Sequence, residues 1–105
     1  MAHDKLGRKV ISRTTTDGRK VVAAAGTAEA LASSSTIVDY IIITAETNNT
    51  GVMAVGDSGV DETVATRTGI PLLAGESATL VGVDLADVYL DAGVSGDGVT
   101  YFYVT

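Results

Sequence analysis

Short apolar runs recur along this chain from residue 20 onward, and clusters of Gly, Asn, Asp or Ser interrupt them every ten residues or so. Regular spacing of short strands and turns is typical of all-β sandwiches and barrels. The pattern predicts an all-β fold, an antiparallel β-sandwich of jelly-roll or immunoglobulin-like type. The predicted strands are 20–25, 28–32, 37–47, 52–55, 70–73, 77–83, 87–91 and 99–104.

Three of these runs carry more specific expectations. In 37–45 both alternating sets are largely apolar, which predicts a strand in the middle of the molecule. In 87–91 Val88 and Leu90 alternate with Asp87, Tyr89 and Asp91, so the acids are expected to face solvent. The last run, 99–104, holds most of the aromatic residues, and we expect a central strand or half of an interface.

Charge is divided unevenly along the chain. Residues 1–20 carry six basic residues against Asp4 and Asp17, a net +4, whereas 21–105 carry Arg67 against eleven acids, a net −10. A basic segment before an acidic body is typical of a tether. The sequence therefore predicts an extended N-terminal arm, 1–18, before a sandwich domain, 19–105. The residues predicted to bind a partner through this arm are Lys5, Arg8, Lys9, Val10, Ile11, Arg13, Arg19 and Lys20.

The arm has three possible roles. Residues 9–13 alternate enough to add as a strand to a neighbour's sheet edge, while their charges meet an acidic partner. The alternative is a solvated terminus. Nucleic-acid binding is disfavoured because no aromatic platform is interleaved with the charges and the body is acidic.

Composition excludes several classes of protein. The chain has no cysteine, which rules out disulfides and thiolate metal sites. Its apolar residues are mostly aliphatic, with one Phe and no Trp, so the core is expected to be thin. Neither a secretory signal nor an apolar run long enough to cross a bilayer is expected, and we predict no membrane association.

No motif supports catalysis. The string 56–59, Gly-Asp-Ser-Gly, matches the surroundings of a serine-protease nucleophile, but that chemistry needs an oriented histidine base. The sole histidine, His3, lies in the leading segment, so we predict no enzyme and no cofactor. The run 56–68 is predicted to be a long exposed loop, and loops of this length often carry function. Its candidate contact residues are Asp57, Asp61, Glu62 and Arg67. Their spacing does not match a calcium loop, so a solvated acidic loop is favoured and no metal site is predicted.

Four motifs follow one another in order: Gly26–Ala32 (GTAEALA), Asn48–Ser58 (NNTGVMAVGDS), Gly69–Ser77 (GIPLLAGES) and Asp84–Ala92 (DLADVYLDA). Over about residues 21–104 this order resembles small β-sandwich virion proteins of tailed bacteriophages, with capsid decoration (cement) proteins as the first choice. Two features depart from the family pattern. Ala74 stands where the turn often carries Pro, and the basic leader 1–20 is not shared.

The resemblance implies a structural protein that binds the major capsid protein on the outside of the head and stabilises the lattice. It implies a homo-oligomer, commonly a trimer, made in the host cytoplasm and located on the capsid exterior of the virion. One alternative is a tail or head–tail joining subunit. Another is a small carbohydrate- or host-surface-binding module that uses the loop 56–68 and exposed tyrosines.

Overall fold

The computed structural model describes residues 13–105 in full, together with the backbone of residues 2–3 and 9–10. Its strands are β1 (Ala2–His3), β2 (Lys9–Val10), β3 (Thr15–Val21), β4 (Glu29–Ala30), β5 (Ile37–Ala45), β6 (Met53–Gly56), β7 (Ile70–Leu72), β8 (Ser77–Asp84), β9 (Tyr89–Ala92) and β10 (Gly98–Val104). A 3-10 turn, Leu85–Asp87, joins β8 to β9.

Two four-stranded antiparallel sheets pack face to face, which confirms the predicted all-β sandwich. Sheet I has the strand order β3-β10-β5-β8 and sheet II the order β4-β9-β6-β7, while β1 and β2 pair with each other. In the part of the chain that the structure describes there is no α-helix, and hence no helix able to cross a membrane.

The core lies between the sheets and is aliphatic, as the composition predicts. Ile41 and Ile43 of β5 project into it from sheet I, and Met53, Val55 and Leu90 project into it from sheet II; all five are almost fully buried. Burying each such side chain contributes roughly 1.5–3 kcal/mol to the free energy of folding. Tyr101 and Tyr103 of β10 stack at the margin of this core, with ring centroids 6.0 Å apart.

Strand β5 is central in sheet I, but it is not buried on both faces as predicted. Ile41 and Ile43 point inward, while Tyr40 and Ile42 remain more than one-third exposed on the other face. Near the start of the strand Val38 is again a core residue, so β5 changes the face it buries between Val38 and Ile41. The change occurs where β8 carries Gly82 at φ 62°, a left-handed conformation that glycine adopts at little cost.

Strand β3 was not predicted in its observed position. The expected strand was 20–25, whereas β3 begins at Thr15 and pairs with β10 along its whole length. The boundary drawn between residues 18 and 19 therefore falls inside a strand. Thr15–Gly18, assigned to the arm, belong instead to an edge strand of sheet I, as do Arg19 and Lys20, which were predicted to bind a partner together with the arm.

The loop 57–69 folds over the outer side of sheet II. Its Val60 is buried, and Ala54 beneath it is fully buried although it faces away from the core. Asp91, paired with Ala54 in the register, is 2% exposed, so the expectation that its carboxylate faces solvent is wrong. Only Asp87 of the two acids in that run is exposed.

Candidate binding surface

The outward side of sheet I, here called the outer face, is the main exposed apolar area among the described residues. Phe102 of β10 lies opposite Ile42 of β5, and both are about two-fifths exposed. Tyr40 and Val81 form the adjacent exposed pair between β5 and β8. A contiguous exposed apolar surface often marks an interaction site, whereas single exposed apolar residues do not.

A depression of about 550 Å³ lies on the outer face beside β3. Its wall is formed by Phe102, Ile42, two threonines and residues 17–19 of β3. A Cβ at Gly18 would clash with the ring of Tyr101, so the glycine lets this ring lie directly against the strand. The depression is open and mostly apolar, which suits a surface contact better than an enclosed small molecule.

Charged side chains border the outer face along β3. The Arg19 Nε donates a 2.9 Å hydrogen bond to Glu46 Oε1, and this bond raises the pKa of Arg19 above its ordinary value. On the inward side of the strand Lys20 Nζ lies 3.1 Å from Glu29 Oε1 in β4 of the other sheet. That contact is the main cause of the lowered pKa of Glu29, which partial burial opposes.

The structure places the predicted arm residues in three groups. Lys5, Arg8 and Ile11 lie outside the described residues, and of Lys9 and Val10 the structure describes only the backbone, in β2. Arg13 forms an ion pair with Asp39 of β5. Arg13, Arg19 and Lys20 thus each contact an acid of the sandwich itself.

The four predicted loop-contact residues lie in one loop, and mostly stabilise it. Asp57 Oδ1 accepts the Gly59 N–H at 2.9 Å, which closes the turn after β6. Asp61 accepts hydrogen bonds from the Thr63 N–H at 2.9 Å and the Thr66 hydroxyl at 2.5 Å; the Thr66 hydroxyl is the main cause of its lowered pKa.

Of the other two residues, Glu62 attaches the loop to sheet II, and Arg67 bonds to Glu62 within the loop. The Glu62 N–H donates to Asp91 Oδ2 at 2.9 Å, and the Arg67 Nε donates to the Glu62 carbonyl oxygen at the same distance. The second carboxylate oxygen of Asp91 is buried and has no hydrogen-bond partner within the described part of the chain. The loop is therefore held by its own polar groups, and most of its residues are exposed, as the sequence predicted.

The remaining motifs take structural positions. Asp57, Ser58 and Gly59 of the protease-like string form the turn after β6, and the side chain of His3 lies outside the description. Within the described residues no three His, Asp or Glu side chains are grouped so as to hold a metal ion. The Asn49 amide exchanges two 2.9 Å hydrogen bonds with the backbone of Gly98, and the Asn49 N–H closes a turn onto the Glu46 carbonyl oxygen.

Sequence reasoning missed the outer face as a unit. Phe102 was noted as part of a possible interface, whereas Ile42 was expected to be buried and Asp17 was placed in the arm. The sequence did contain a signal: β5 is apolar on both faces, but in a two-layer sandwich only one face of a strand packs on the core. The apolar residues of the other face must therefore be exposed. Comparison of the chain with family models, curated proteins and solved structures gives no match.

Proposed function

We propose that this chain is a structural, non-enzymatic component of a tailed-phage particle, a capsid decoration protein that binds the outside of the head. The observation that carries the proposal is the outer face, where Ile42 and Phe102 expose adjacent apolar side chains on neighbouring strands. An exposed apolar surface with a charged border suits contact with a protein lattice. The resemblance of the four sequence motifs to virion proteins supplies the class of partner, the major capsid protein.

Binding on such a particle needs only modest affinity per contact. Many copies occupy equivalent positions, and contacts between neighbouring copies add to each site's affinity. The outer face would supply the apolar contact, and the basic residues before Arg13 would supply a salt-sensitive one. A tail or head–tail joining subunit would use the same two features, so the position in a particle separates these alternatives.

The test is cosedimentation of the purified chain with emptied heads that lack it. We expect binding that weakens as salt rises, and a loss of about tenfold or more in affinity for the double variant Ile42→Ser/Phe102→Ser. The matched control is Val64→Ser, because Val64 is an 83% exposed valine in the loop over sheet II. Circular dichroism checks that each variant keeps its fold.

Three results would contradict the proposal. Absence of binding to heads at low salt would reject decoration, and binding to tails alone would favour the joining subunit. Binding to glycans by a chain that ignores heads would favour the carbohydrate-binding alternative. The expected homotrimer stays a prediction, which light scattering tests.

A further inference from the structure

The four edge strands of the sandwich differ in how well they could pair with another chain. Strand β4 has two residues, β7 has three including Pro71, and β8 carries Gly82 in a left-handed conformation. Short strands, proline and irregular backbone are the usual protections of a sheet edge. Strand β3, by contrast, is a regular seven-residue edge whose glycine keeps an extended backbone.

The hydrogen-bond pattern shows which backbone groups of β3 point outward. Thr14 and Thr105 exchange both backbone hydrogen bonds, at 3.3 and 2.9 Å, and the Val22 N–H donates to the Asp97 carbonyl oxygen at 2.9 Å. In an antiparallel ladder alternate residues face alternate sides, so the even-numbered residues of β3 bond to β10. The N–H and C=O groups directed away from the sheet belong to Thr15, Asp17, Arg19 and Val21.

We propose that β3 pairs antiparallel with β3 of a second copy of this chain, about a two-fold axis at Gly18. Asp17 then lies opposite Arg19 of the second copy, and Arg19 lies opposite its Asp17. In this register each residue whose backbone N–H and C=O groups point away from the sheet lies opposite another such residue, and Thr15 is paired with Val21. All the outward backbone groups of both strands gain partners, and the two copies of sheet I become one continuous sheet.

Charge selects this register over its neighbours. A slip of two residues one way places Asp17 opposite Asp17 of the second copy, and a slip the other way places Arg19 opposite Arg19. Like charges directly opposite in a ladder are destabilising, whereas opposite charges stabilise it. A slip of one residue places backbone groups that point away from the sheet opposite residues whose groups already bond to β10, so the hydrogen bonds between the two copies are lost. The sequence Asp-Gly-Arg is therefore complementary to itself in one register.

Among residues 13–105, the neighbouring side chains leave the edge accessible. Arg13, just before β3, pairs with Asp39 of β5, two strands in from the edge, so its side chain points away from the proposed partner. Glu46 engages the Nε of Arg19, and a guanidinium has further N–H donors for Asp17 of the second copy. On the inner side the Tyr101 ring lies against Gly18, so the rings of the two copies would meet near the axis.

The size of this contact sets its strength. Pairing of two seven-residue edges buries less surface than the ~1,600 Å² of an ordinary stable interface, so we expect a dimer with a dissociation constant in the micromolar range or weaker. The inference does not depend on the proposed function. It predicts a two-fold dimer where the sequence resemblance implied a trimer.

Charge variants test the contact by sedimentation equilibrium over a range of concentrations. Asp17→Arg and Arg19→Glu should each weaken self-association at least about tenfold, because each places like charges opposite one another twice. An equimolar mixture of the two variants should recover a heterodimer, since both pairs are then opposite in charge. The control is Asp87→Arg, which makes the same charge change at an exposed residue of the 3-10 turn. An unmodified chain that stays monomeric at millimolar concentration overturns the proposal.

Cysteine substitutions test the register against a background free of native thiols. A mixture of the Asp17→Cys and Arg19→Cys chains should form the mixed disulfide on mild oxidation, because hydrogen-bonded opposite residues are about 5.5 Å apart at Cα. Each variant alone should crosslink far more slowly. Dominant 17–17 or 19–19 crosslinks, or no preference among the three, would overturn the proposed axis.

Discussion

Gly69 and Gly26 have the same backbone conformation in very different surroundings. Both have φ of 80°, where other residues are strained. A Cβ at Gly69 would lie 2.5 Å from the Val55 carbonyl oxygen and 2.8 Å from Val60 Cγ2, while one at Gly26 would meet nothing within 4 Å. Gly69 is the point where the loop over sheet II returns to β7, so close approach to β6 there requires glycine.

We expect Gly69→Ala to lower the free energy of unfolding by about 2–5 kcal/mol, from backbone strain together with overpacking against β6. Gly26→Ala carries the strain alone and should cost about 1–2 kcal/mol. Urea denaturation of both variants measures the difference. Equal losses would show that the loop moves away from β6 without cost.

Asp84 caps the 3-10 turn and fastens the chain before β5. The Ser35 hydroxyl donates to its carboxylate at 2.5 Å, and the Thr36 and Ala86 N–H groups donate at 2.8 and 3.0 Å. These bonds favour the ionised form, Ser35 most, and lower the pKa of Asp84 below its ordinary value of 3.8. Ionised Asp84 therefore stabilises the fold above that ordinary value, and this stability is lost as pH falls through the lowered pKa.

Removing the Ser35 hydroxyl tests this contribution. Ser35→Ala should raise the pKa of Asp84 toward 3.8, and should lower stability above pH ~4 while leaving it nearly unchanged at the lowest pH. Ser34→Ala is the matched control, since the Ser34 contact seen in the structure uses its backbone carbonyl. NMR titration of the Asp84 carboxyl carbon gives the pKa. An unchanged titration in Ser35→Ala would contradict the assignment.

At the scale of elements, the loop over sheet II and strand β9 depend on each other. Asp91 is nearly fully buried by the loop, and one of its oxygens accepts the Glu62 N–H while the other has no partner among the described residues. A buried N–H that loses its acceptor costs more than the hydrogen bond itself. We therefore expect the attachment of the loop to depend on a hydrogen-bond acceptor at position 91 rather than on a charge there.

Two substitutions at position 91 distinguish the effect of the hydrogen-bond acceptor from the effect of the charge. Asp91→Ala should lower the free energy of unfolding by about 1–3 kcal/mol and expose the Glu62 amide to hydrogen exchange. Asp91→Asn keeps an oxygen for this amide and removes a buried charge, so it should stay within about 1 kcal/mol of the unmodified chain. Equal losses of protection in both variants would show that the charge holds the loop.

The sequence predicted a strand well where the alternation of apolar and polar residues reflects burial, and poorly where it does not. Strands β5, β8 and β10 match predicted runs because they carry strong apolar patterns. Strand β3 was missed because its outward residues are mostly polar and its inward ones are Thr16, Gly18 and Lys20, so the ladder to β10 alone makes it a strand. Alternation placed Asp91 on the side away from the core correctly, yet it could not show that a loop covers that side.

At the scale of the whole molecule, charge is less divided than its distribution along the chain suggests. Residues 13–105 hold Arg13, Arg19, Lys20 and Arg67 against twelve acids, a net −8, and residues 1–12 have a net +2 from three bases and Asp4. The bases near β3 are each paired with an acid of the sandwich: Arg13 with Asp39 in β5, Arg19 with Glu46 just after β5, and Lys20 with Glu29 in β4. Exposed pairs are weak individually, but together they hold β3 to both sheets, so Arg13 and β3 belong to the sandwich.

Two truncations test this assignment. A chain that starts at Arg13 should keep the free energy of unfolding within about 1 kcal/mol, because the described ties of β3 to the sandwich begin at Arg13. A chain that starts at Arg19 loses Thr15–Gly18, the backbone bonds they make to β10, and the cover over the Tyr101 ring, and should lose 3 kcal/mol or more, at about 1 kcal/mol per bond. Urea denaturation measures both. If the shorter chain were as stable as the longer one, β3 would be an appended strand, and the sandwich would be complete without it.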